Sequence, residues 1–189
     1  TQIYLYQIYD SNFQSIWDVY ARSGVDVNYM ATLGIGKDEP LFAAFGLILK
    51  AYDLGVLSSL YGDIPYKEAY KYLDNRTPAF ESQEDVLLDC IADLDSACVL
   101  LSKKPTSEYA SLDAMYSGAP SKWIRLANSL RMRYLLRLTG INDSYWGRIQ
   151  EMIDDPAAFP VFTSVDESAV IPYQSVDPYR QYFTYSQAT

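Results

Sequence analysis

The stretch DEPLFAAFGLILKAYDLGVLSSLYGDIP, residues 38–65, constrains the fold more than any other. Asp38, Glu39 and Pro40 suit a helix start. Acids belong at the positive end of the peptide dipoles, and proline is tolerated in the first turn. From there to Tyr61 the residues are apolar nearly all round the predicted helix. A helix of that kind needs neighbours on every side, so it predicts a multi-helix fold with this element most buried. Its longest unbroken apolar run, Leu41 to Leu49, is followed by Lys50 and Asp53, and is too short and interrupted to span a bilayer. Gly62 is placed to cap the helix in the left-handed conformation. Pro65 forces Ile64 extended. Tyr66 and Tyr70, four apart, read as the start of a short helix. LYGDIPYKEAY, residues 60–70, can therefore be a helix stop, an extended link and a restart, or it can be a ligand loop. The backbone roles of its glycine and proline favour the structural reading.

Other segments repeat the pattern. Ile3, Tyr6, Tyr9, Phe13, Ile16, Trp17 and Tyr20 recur at close to 3.6 residues, which predicts an amphipathic helix over residues 4–20. VDVNYMATLGIGKDEP, with two glycines and a proline, predicts a loop. In NRTPAFESQEDV, Ser82 and Asp85 resemble a capping box, with Asp in place of the preferred Glu. The helix that follows carries Val86, Leu87, Cys90, Ile91, Leu94, Ala97, Cys98 and Leu101 on one face, and Asp89, Asp93 and Asp95 on the other. After a polar link comes SKWIRLANSLRMRYLLRLTG, a helix with Lys122, Arg125, Arg131, Arg133 and Arg137 and no acid. Those cations are expected to pair with acidic faces such as Asp89, Asp93 and Asp95, and Trp123 is expected in the core. A shorter helix over about 144–154 stops at Pro156, and residues 155–189 read as irregular. So apolar a tail is expected to pack on something outside the chain. The whole predicts one all-α domain over residues 1–189, built of antiparallel helix hairpins. Such hairpins can stack as a tetratricopeptide-like α-solenoid with long loops, although no strict 34-residue repeat is visible.

The chemistry is bounded by what is scarce. There is no histidine, which removes His-based triads, metal sites and pH switches. A net charge of −9 disfavours nucleic acid. Cys90 and Cys98 would lie about 12 Å apart along a helix, too far for a disulfide, and read as small buried hydrophobes. The pairs Asp38–Glu39 and Asp154–Asp155 sit at helix ends, not across a cleft as glycosidic cleavage requires. No phosphate loop, Cys/His cluster or nucleophile elbow is present, so no catalytic residue, metal or cofactor is assigned. Tyrosine is the unusual residue, 18 against 7 Phe and 3 Trp. Its flat apolar face and polar tip suit half-wet surfaces, including sugar platforms. The best-stocked irregular segment holds Tyr173, Gln174, Asp177, Tyr179, Arg180, Tyr182 and Tyr185, and Trp146 is a second candidate. The same aromatics could equally serve packing.

Three ordered blocks carry a resemblance. ILKAYDLGVLSSLYGDIPYKEA, TPAFESQEDVLLDCIADLDSA and SKWIRLANSLRMRYLLRL are similar to the signature stretches of the SusD/RagB-like outer-membrane nutrient-binding lipoproteins, in the starch-binding branch. DPYRQYF is a weaker match. The resemblance implies a non-catalytic surface lipoprotein that captures oligosaccharide, or sometimes peptide. It implies delivery to a TonB-dependent, SusC-like transporter, and membrane contact only through a lipid anchor that this chain lacks. It also implies a longer protein of which this chain, without an initial Met, is a trimmed part. A tetratricopeptide-like peptide-binding adaptor and a glycoside hydrolase are the alternative readings.

Overall fold

Helix α2, Pro40–Tyr61, is the axis around which the other elements are arranged. The structure is a computed structural model that describes residues 11–172. Before α2 runs α1, Ser11–Gly36, and after it come α3, Gln83–Ser102, α4, Pro120–Leu138, and α5, Tyr145–Asp154. Each helix packs on the next, and α4 also reaches α2. The arrangement is the all-α, tetratricopeptide-like stack of helix hairpins that the periodicity predicts. Among the described residues there is no strand, only one antiparallel bridge between Ile64 and Glu81. By length and composition α2 could cross a membrane, with a mean hydropathy of 1.6 over 18 residues, yet 61% of that window is buried inside the protein. Its apolarity is spent on the core.

The sequence reading fails in one helix. VDVNYMATLGIG, expected as a loop, is the second half of α1. Its Gly34 is not a breaker but a contact point. A Cβ there would stand 2.5 Å from the backbone nitrogen of Ala43, and one on Gly46 of α2 would collide with the backbone of Ala31. The two helices cross so closely that only glycine fits, and the packing offsets its poor helix propensity of about 1 kcal/mol. The chain reverses just beyond Gly36, where the Glu39 amide bonds the Gly34 carbonyl at 2.8 Å and Asp38 takes φ +56°. Of the helix predicted over residues 4–20, the part before Ser11 lies outside the described residues.

Beyond α2, the core is built by α3 and α4. Tyr134 of α4 is buried and donates its hydroxyl to the Ala51 carbonyl at 2.9 Å. Trp123, in the core as expected, stacks on Phe45 with ring centroids 4.2 Å apart. α3 starts as the capping box predicts, with Ser82 Oγ accepting from the Asp85 amide at 3.1 Å and donating to its carboxylate at 2.7 Å. The short helix expected at Tyr66 is absent. Turns occupy residues 67–70, followed by one 3-10 turn, Tyr72–Asp74.

The beginning of the irregular tail packs on this chain, not outside it. Residues 160–162 lie along α4, where Arg125 donates to the Val161 carbonyl at 3.0 Å and Asn128 to that of Pro160 at 3.1 Å. Ser129 Oγ accepts from the Phe162 amide at 3.0 Å. Arg125 also pairs with Glu167 at 3.4 Å, and Arg131 with Asp95 at 2.7 Å. Only Asp95 therefore pairs with α4 as expected, because Asp89 and Asp93 face the lysines of the α2–α3 connection and α2.

Candidate functional site

The corner after α2 is closed on itself. The backbone of Ile64 exchanges two hydrogen bonds with that of Glu81, at 3.2 and 3.0 Å. Glu81 Oε1 then accepts from the amides of Tyr66 at 3.2 Å and Lys67 at 2.7 Å. The Lys67 ammonium bridges Glu81 at 3.2 Å and Asp89 at 2.9 Å. Those bonds to Asp89 and then Glu81 push Lys67 up to about 12. Burial pulls both acids upward. At Asp89 it wins, while at Glu81 the Lys67 and Tyr66 donors hold the carboxyl below its ordinary value. Tyr66 is buried and donates to Asp93 at 2.7 Å, and Asp93 also receives the Lys50 ammonium at 3.1 Å. The same ammonium lies 4.4 Å from the centre of the Tyr66 ring. Asp63 accepts from the Gln83 amide at 3.0 Å and so caps α3 a second time. Glu68 holds Asn75 and the Ala79 amide at 2.8 and 2.9 Å. The carboxylates of this corner are thus occupied by donors of the chain itself, which suits a clamp between α2 and α3 and leaves little for a ligand.

A second knot fixes the link before α4. Asp113 accepts from the amides of Met115, Tyr116 and Gly118 and from the Trp123 indole at 2.7 Å. Tyr116 is buried edge-on against Trp123, and its hydroxyl donates to the Glu167 carbonyl at 3.2 Å. The folded-over link leaves a trough against α1 and α2. Three adjoining cavities of about 310, 220 and 370 Å³ share walls at Met30, Phe42 and Leu112 and then at Leu49, Met115 and Ile171. Lys37, Glu39 and Tyr109 stand at one end and Tyr52 at the other. The floor is apolar, so a sugar laid along it would leave most hydroxyls unpaired, whereas apolar side chains would fit. A groove of about 440 Å³ is lined by Ile35, Leu47, Asp95 and Val99 of α1, α2 and α3. The sequence reading missed both surfaces. The signal was the excess of apolar residues on α2 beyond what one packing face needs.

Of the residues singled out for sugar binding, Trp146 is placed. It sits in the first turn of α5, half exposed, with Ile153 seven residues on along the same face and also exposed. Neither borders the cavities above. Tyr173, Gln174, Asp177, Tyr179, Arg180, Tyr182 and Tyr185 lie outside the described residues. The carboxylate pairs stay at helix ends, where Asp154 accepts from Gln150 at 2.8 Å and Asp155 from the Ala158 amide at 3.0 Å. No group of three or more His, Cys, Asp or Glu able to hold a metal occurs among the described residues.

Residues 1–188 match a SusD-like family described as starch-binding and associating with the outer membrane. A chitin-binding SusD homologue from Flavobacterium johnsoniae is 28% identical, with a TM-score of 0.73 over 85% of this chain and 33% of its own. A SusD homologue from Bacteroides fragilis is 24% identical, with a TM-score of 0.73 over 85% of this chain and 35% of its own. A SusD/RagB family protein from Bacteroides thetaiotaomicron is 22% identical, with a TM-score of 0.74 over 86% and 34%. The last two likenesses show the fold alone. The chain spans about a third of the length of these solved structures. No curated protein matches the sequence.

Proposed function

The chain belongs to the SusD-like family described as starch-binding and associating with the outer membrane, and on that footing we propose that it serves in capturing oligosaccharide at the bacterial cell surface. The observation that carries this reading is the family match over residues 1–188, supported by the likeness to a chitin-binding homologue along 85% of the chain. Capture is non-covalent and without turnover. In support, the corner acids and Asp113 are committed to internal donors. The captured glycan passes to a TonB-dependent, SusC-like transporter, and the protein is a surface lipoprotein longer than this chain. Recognition uses Trp146 together with Tyr173, Asp177, Tyr179, Arg180 and Tyr182. Aromatic faces stack on the apolar faces of pyranose rings, and the planar polar groups bond the hydroxyls.

The alternative, a tetratricopeptide-like adaptor that grips peptide, draws on the groove formed by Ile35, Leu47 and Val99. Calorimetric titration of the full-length protein with malto- and chito-oligosaccharides separates the readings. Saturable binding without release of reducing ends supports glycan capture. Binding of peptides alone favours the adaptor, and hydrolysis of the glycan would overturn both.

A further inference from the structure

We draw no further inference here: the strongest candidate, the apolar trough between α1, α2 and the link before α4 that runs from Lys37 to Ile171, carries nothing because no described residue shows what covers it.

Discussion

Gly62 takes φ +80° and ψ −118°, a region open to glycine and strained for residues that carry a Cβ. The sequence reading expected a glycine-only cap here, and the positive φ agrees, although ψ departs from the left-handed helical value of about +47°. Its amide bonds the Ser58 carbonyl at 2.8 Å, and Ser58 Oγ bonds back to the Gly62 carbonyl at 2.8 Å. No atom lies within 4 Å of a Cβ added there. Gly62→Ala therefore acts through backbone strain alone. It should cost about 1–2 kcal/mol in urea unfolding while leaving ligand affinity of the folded protein unchanged. Asp53 offers a pH test. It is half-buried on α2, and burial raises its carboxyl to about 6. The folded protein thus holds this proton to a higher pH than the unfolded chain, which releases it near 4. The resulting stabilisation is complete below pH 4 and is lost as pH rises through 6. Solvent screening reduces the effect, so Asp53→Asn should exceed the wild type by about 1 kcal/mol at pH 8 and match it at pH 4. An equal difference at both pH values would contradict this. The two thiols need no test of that sort, since burial pushes Cys90 up to about 12 and Cys98 to about 11, which keeps them protonated and inert.

α2 to α5 were legible because each is marked by local chemistry: Pro40 and Gly62 at the ends of α2, Ser82 before α3, Gly140 just beyond α4 and Pro156 after α5. The second half of α1 was not legible. A glycine read along the sequence is a breaker, whereas Gly34 answers Ala43 and Gly46 answers Ala31, each across the crossing of α1 and α2. The beginning of the tail was misread for a similar reason. Its aromatics show no period, but residues 160–162 are held through backbone groups by Arg125, Asn128 and Ser129, a tie that composition does not encode. The α1–α2 crossing supplies the element-scale prediction. Gly46→Val places a branched side chain against the Ala31 backbone, which neither helix can vacate without separating. Thermal unfolding should show a loss of about 3 kcal/mol, at the upper end of overpacking costs. A variant as stable as the wild type would mean that α1 does not cross α2 at this point.

Across the molecule, the motif most visible in the sequence and Trp146, the one proposed ligand contact among the described residues, fall in different places. GDIPYKEA is absorbed in clamping α2 to α3 through Glu81, Asp89 and Asp93. Trp146 sits on α5, half exposed and unengaged by the cavities. The candidate site was only partly readable for a physical reason. Aromatic residues that pack and aromatic residues that bind have the same composition, and only geometry separates them. Trp146 is half exposed in this chain, whereas Trp123, also on a helix, is buried at 2% exposure. The central claim is that glycan is held by aromatic platforms while the corner at residues 62–66 only shapes the scaffold. Calorimetric titration of the full-length protein with oligosaccharide tests it most directly, run on the wild type, Gly62→Ala, Trp146→Ala, Tyr179→Ala and Tyr182→Ala. Stacked aromatics at a binding centre cost about 2 kcal/mol or more when truncated, so at least one of the three aromatic variants should lose roughly thirtyfold in affinity with its helical signal intact. Gly62→Ala should bind as the wild type does. Normal binding by all three aromatic variants, or weakened binding by Gly62→Ala without loss of stability, would contradict the account.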